Sequence, residues 1–181
     1  MKKLLQLCFV AAMALGTHAA HAALIDHSQT ADMSATLNAS GSFAFNRTLL
    51  TDAQALGADK NFFSDRYEFT LDVPVLAGGM MTSIRYTNGT GLEITGFNLR
   101  HADGTSVFEG DLVDSADQTW MFGGEDALTS GRYFLEVNGY ATAANASYSG
   151  TLAVAAVPEP GSLALMLAGL GVLGVVARRR K

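Results

Sequence analysis

Between residues 42 and 154 the chain alternates apolar and polar positions, and that alternation predicts strands. The clearest run is Arg66-Tyr67-Glu68-Phe69-Thr70-Leu71-Asp72-Val73, with Tyr, Phe, Leu and Val at odd positions and Arg, Glu, Thr and Asp at even ones. A period of two sends one set into a core and the other into water. Pro74, which has no ladder donor, ends the run.

The same rule marks Ser42 to Phe45, and Met81 to Tyr86 with Ile84 and Tyr86 on one face and Arg85 on the other, closed by Asn88-Gly89. Leu92 to Arg100 alternates through Ile94, is interrupted at Gly96 and resumes at Phe97 and Leu99. After a turn at His101-Ala102-Asp103-Gly104 come Thr105 to Glu109 and then Thr119 to Phe122. Arg132 to Val137 places Tyr133, Leu135 and Val137 inward before a break at Asn138-Gly139. Ala146 to Val154 places Tyr148, Gly150, Leu152 and Val154 inward. About eight short strands without a long amphipathic helix predict an all-β chain, a single antiparallel β-sandwich over residues 23–156. Ala31 to Leu37 and Leu50 to Leu56 each have room for a turn of helix.

The two ends break the pattern. Lys2 and Lys3 precede an apolar run from Leu4 to Leu15, and Ala20-His21-Ala22 is a small-x-small cleavage site. Residues 1–22 therefore read as a secretion signal helix, with Ala23 the expected mature start. Cys8, the one cysteine, leaves with it, so the mature chain has no disulfide, thiol nucleophile or cysteine metal ligand. The remaining stretch, about 135 residues, is long enough to hold itself together by its core.

At the other end, Pro158-Glu159-Pro160 forces extended backbone, and Ser162 to Ala177 carries no charge before Arg178-Arg179-Arg180-Lys181. A helix over 162–177 would be about 24 Å long, slightly short of a hydrocarbon core near 30 Å. Snorkelling arginines make up the difference, and the basic tail 178–181 stays on the cytoplasmic side. Residues 157–181 thus predict a transmembrane anchor with the domain outside.

Charge changes the picture once the ends are set aside. Six of the twelve basic side chains sit in the signal or the tail, as does Glu159, leaving six basic against sixteen acidic ones in between. That is a charge near −10, the opposite of the basic stripe that nucleic acid requires. Its default consequences are solubility and repulsion between copies.

The tail resembles a known signal. Val157-Pro158-Glu159-Pro160, an apolar segment rich in Leu, Ala and Gly, and a terminal arginine cluster are similar to the PEP-CTERM sorting signal. The resemblance implies an exosortase partner, an integral-membrane cysteine transpeptidase. It also implies a membrane-anchored precursor sent on to the bacterial cell surface or extracellular polymer matrix. Phe63-Ser64-Asp65-Arg66-Tyr67 resembles the FxDxF motif of a subgroup of short PEP-CTERM proteins, with Tyr67 in the last aromatic position. Leu128 to Gly139 and Tyr148 to Leu152 resemble that subgroup's final hairpin, and their rhythm is similar to bacterial pre-peptidase C-terminal sandwich domains. A jelly-roll is the alternative sandwich. The subgroup is defined by architecture, so no reaction is implied.

Candidate chemistry is sparse. Phe63, Asp65 and Tyr67 share one parity, which places a carboxylate on the core face. Asp65 is expected to cap a turn or to accept backbone N–H groups at a bulge where the strand begins. Asp103, Asp111, Asp114 and Asp117 concentrate carboxylates in loops, as a calcium site would, although not at EF-hand spacing. Apart from that calcium option no cofactor is expected. A hydrolase would need His101 as base, and no G-x-S-x-G elbow or H-E-x-x-H motif accompanies it. Trp120 shares a face with Phe122, which favours a core role over stacking on a sugar of an extracellular polysaccharide. The expectation is an exported, non-enzymatic surface or matrix protein. A calcium- or carbohydrate-binding module is the first rival and a small hydrolase the second.

Overall fold

A computed structural model describes residues 25–49, 56–57, 61–86, 89–157, 165–170 and 178. The described elements are β1 (Ile25–Asp26), β2 (Thr30–Asp32), α1 (Ser34–Ser40), β3 (Ser42–Leu49), β4 (Asn61–Leu71), β5 (Val75–Ser83) and β6 (Leu92–His101). They continue with β7 (Ser106–Glu109), β8 (Asp111–Asp114), β9 (Thr119–Gly123), β10 (Gly131–Ala141) and β11 (Ala146–Ala156). They form two sheets. The first has the order β1-β4-β10-β6-β7, with β2 also on β4; the second has the order β3-β11-β5-β9-β8. The chain is mostly β, and the two sheets make a sandwich.

The core lies between the sheets and is aromatic. Phe43 and Phe45 of β3, Phe63, Tyr67 and Phe69 of β4, Phe97 of β6 and Tyr148 of β11 are all buried there. Space for these rings comes partly from glycine: a Cβ on Gly150 would lie 2.4 Å from the Phe45 ring. β4 has the predicted period of two from Asn61 to Leu71, every odd position buried. β6 keeps its predicted interruption, where Ile94 pairs with Gly139 and Gly96 with Asn138, leaving Thr95 as an extra residue. That bulge moves the inward set from even positions to odd, which is why Phe97 and Leu99 follow Leu92 and Ile94 into the core.

Several expectations are corrected. The sandwich is not purely antiparallel, because β1 and β2 pair parallel to β4. β5 begins at Val75, directly after the turn at Asp72-Pro74, so Val75, Ala77, Met81 and Ser83 face inward while Ile84 and Tyr86 are exposed. Asn138-Gly139 does not end β10. A glycine is needed there because a Cβ would lie 2.4 Å from the Glu93 carbonyl oxygen and 2.9 Å from the Phe63 ring. β10 and β11 are not a hairpin but belong to opposite sheets. Asp111 to Asp114, read as a loop, is the edge strand β8. The helical turn near Ala31 starts later, at Ser34, since Ala31 lies in β2. Most of the stretch from Leu50 to Leu56 lies outside the described residues.

So do residues 1–22, and so does most of the segment 162–177; within it residues 165–170 are helical and exposed. Among the described residues no helix is long and apolar enough to cross a membrane.

Candidate functional site

Phe63, Asp65 and Tyr67 stand side by side on the core face of β4, and all three reach Tyr148 on the opposite sheet. The Phe63 ring stacks on Tyr148 at 5.6 Å, with only 13° between the planes. The Tyr67 and Tyr148 hydroxyls are 2.8 Å apart, and the Tyr148 hydroxyl also donates to Asp65 Oδ2. Asp65, fully buried, is ion-paired through Oδ1 with Arg47 of β3. Arg47 and Tyr148 are cross-strand partners, so one register position of the second sheet supplies both donors.

A third donor fixes the chain's start. The Gln29 backbone N–H reaches Asp65 Oδ1 at 3.0 Å, while Arg47 also donates to the His27 carbonyl. The Ser64 N–H donates to Ser28 Oγ at 2.7 Å. Residues 27–29 are thereby tied over the carboxylate between β1 and β2. Asp65 does accept a backbone N–H, but from this segment: β4 has no bulge there and begins four residues earlier, at Asn61.

Among the described residues these donors occupy both carboxylate oxygens, so the cluster is built as a clamp between the sheets. Burial pushes the Tyr148 phenol far above its ordinary value of 10.0, with the nearby Tyr67 and Asp65 adding to it. Tyr67 is raised for the same first reason, burial. Both hydroxyls stay protonated and available as donors at any physiological pH.

A second cluster lies on the outer face of the first sheet. Glu136 of β10 is 8% exposed although it points away from the core. Arg100 Nε is 2.8 Å from its Oε2, and Arg66 and Ser64 approach its Oε1 at 3.7 and 3.3 Å. The Arg66 guanidinium also lies 4.7 Å above the Phe134 ring, covering an aromatic side chain that the alternation turns outward. Beside it Asp32, Glu68, Thr70 and Arg132 line a depression of about 180 Å³.

The structure does not gather the candidate calcium ligands. Asp103 caps its own turn, accepting from the Thr105 N–H at 2.9 Å and hydroxyl at 2.7 Å. Those bonds, the backbone one first, hold its pKa below the usual carboxylate value. Asp111 and Asp114 sit on β8 of the other sheet, and Asp114 accepts from the backbone of Ala116 and Asp117. Among the described residues no group of three or more His, Cys, Asp or Glu side chains is placed to hold a metal ion. His101 ends β6 with its ring against Tyr133, 4.8 Å between centroids. Trp120 shares the inward side of β9 with Phe122 and packs, partly buried, against the core.

Of the sorting residues, Val157 is described and half-buried, while Pro158, Glu159 and Pro160 lie outside the described residues. Two features frame the comparisons: a two-sheet sandwich held together through Asp65, and a last strand that ends at Ala156, beside the sorting residues. That tail, residues 156–181, matches the family profile described as PEP-CTERM protein-sorting motif. The match implies an exported protein that an exosortase processes and sorts to the cell surface. Among solved structures, the chain is similar to the pre-peptidase C-terminal domain of collagenase from Bacillus anthracis. The likeness has 14% identity and a TM-score of 0.41, over 72% of this chain and 96% of that one. No curated protein matches the chain.

Proposed function

We propose that this chain is a non-enzymatic surface module: a sandwich exported as a membrane-anchored precursor and sorted through its tail into the extracellular polymer matrix. The observation that carries the reading is the junction of a folded, self-contained domain with the sorting motif. The chemistry-bearing residues support it. Asp65 is engaged by Arg47, Tyr148 and Gln29, and His101 packs on Tyr133. Membership of the FxDxF subgroup is part of the same proposal and rests on the spacing of Phe63, Asp65 and Tyr67 in the sequence.

The test is intact mass of the protein recovered from the producing cells, fraction by fraction. A species beginning near Ala23 and ending near Pro158 to Pro160, outside the membrane fraction, is the expected result. A species that ends at Lys181 and stays in the membrane would overturn the sorting part. Turnover of a substrate by the purified mature protein, abolished by His101→Ala, would overturn the non-enzymatic part.

A further inference from the structure

Strand β11 runs into the sorting motif without a linker. Its pairing with β5 continues to Ala156 opposite Val75, and the next N–H, that of Val157, donates to the Pro74 carbonyl at 3.4 Å. Pro158 follows at once, and the family match starts at residue 156, inside the strand. On its other side β11 loses its neighbour sooner. Pairing with β3 stops at Ala153 opposite Ser42, and the last bond there runs from the Val154 N–H to the Gly41 carbonyl. Among the described residues, 155–157 are therefore held along one edge only. Ala155 and Ala156 are exposed and bring only methyl groups to the hold.

This junction meets a geometric demand. An enzyme that cuts beside Pro158-Glu159-Pro160 has to receive an extended chain, and backbone hydrogen bonds are the general means of gripping one. Pro158 and Pro160 have no N–H to offer. Donors upstream of the motif must come from residues 155–157, and the Val157 N–H is engaged with Pro74. Nor is there slack. Four residues separate Val157 from Ser162, the start of the apolar segment. They span about 14 Å at most.

We infer that residues 155–157 form a peelable end of β11 which the exosortase takes up together with the Pro-Glu-Pro motif, so that their pairing with β5 sets the rate of processing. The inference rests on the sorting reading above and adds the substrate segment and its control. Folded sandwich and bound substrate compete for the same three residues.

The experiment follows full-length protein in the producing cells by pulse-chase, with loss of the tail read by mass. Inserting Gly-Ser-Gly-Ser between Val157 and Pro158 provides free chain without unpeeling. Processing is expected to accelerate three- to tenfold, roughly the worth of one or two backbone hydrogen bonds. The reverse variant joins Leu76→Cys to Ala155→Cys; these positions are register partners, and the mature chain has no other thiol. Once mass confirms the cross-link, processing is expected to slow about tenfold and to recover with a membrane-permeant reductant. Should the cross-link not form, the insertion alone decides. Wild-type rates in these variants, with the normal chain processed, would overturn the inference and leave the sorting reading standing. A normal chain that never loses its tail would sink both.

Discussion

Asp65 and Glu136, on opposite faces of the first sheet, each anchor an arginine–carboxylate cluster, and the two do different work. Inside, Asp65 is fully buried and Arg47 is 14% exposed at the side chain; outside, Arg66 is half in water while Glu136 lies beneath it. The inner cluster joins elements far apart in sequence: the amino-terminal segment, β3, β4 and β11. The outer one joins three adjacent strands that already share a ladder, β4, β10 and β6. Charge in a dry interior is costly unless fully partnered, and breaking one partner leaves the other stranded. Glu136 is itself covered, but its arginine partners are 49% and 26% exposed at the side chain, so water and salt screen the outer cluster far more than the inner one. Asp65 should therefore be indispensable where it stands, and Glu136 dispensable.

The sharpest way to break that contrast is Asp65→Asn in the mature protein, which leaves Arg47 without its countercharge. We expect a loss of about 3–5 kcal/mol, read as a fall in urea midpoint at unchanged slope. Residues 25–32 should become open to protease as well. A loss below about 1 kcal/mol would erase the distinction between the clusters.

Next in size is Tyr148→Phe, which keeps the ring stacked on Phe63 but removes the hydroxyl shared by Asp65 and Tyr67. The expected cost is about 1–3 kcal/mol at neutral pH. It also changes the alkaline limb. A phenol whose folded pKa is raised contributes stability present in full below the ordinary value of 10.0. That contribution is lost as pH climbs from there toward the folded value, because the unfolded chain releases its proton first. The variant's stability should fall less steeply than the parent's above pH 10.0. An unchanged slope would count against the buried phenol.

Glu136→Gln comes third, with an expected cost near 1 kcal/mol or less that shrinks further in 1 M salt. The Asp65 effect should hardly respond to salt, so one titration of both variants sharpens the comparison. The smallest effect belongs to Arg66→Ala, about 0.5–1 kcal/mol, lost mainly from its cover over Phe134. Quenching or near-ultraviolet spectra would register the uncovered ring.

Most of the sandwich is legible in the sequence because a period of two is a local signal. β4, β6 and β11 follow it, and even the phase change at Gly96 shows as a break between Ile94 and Phe97. Pairing partners are another matter. Nothing in the residues 25–32 says that they run parallel to a strand about 35 residues on, and nothing in Gly139 says that β10 continues past it. Asp65 is visible as an acid on an apolar face. Its counterpart was equally available: Arg47 follows Phe43 and Phe45 at the same parity and precedes Leu49, a base on an apolar face. Two inward charges of opposite sign in one sandwich predict a pair. Tyr148 as the third member was not legible, since a tyrosine on a core face is ordinary and its hydroxyl's target depends on how the sheets face each other. The carboxylates of 103–117 misled for the opposite reason, because closeness in sequence scattered them over two sheets and separate turns.

The strand order has a consequence for export. An interior place in each sheet is filled by one of the last two strands, β10 between β4 and β6 and β11 between β3 and β5. A chain threaded across a membrane amino end first delivers the strands that flank these two before either of them arrives. The first sheet cannot close until β10 has emerged, and the second until β11 has, so the early strands wait with open edges in a translocation intermediate. The sorting motif follows immediately after the last of these strands. Completion of the domain and emergence of the sorting motif thus become nearly one event, timed by the position of β11 in the chain.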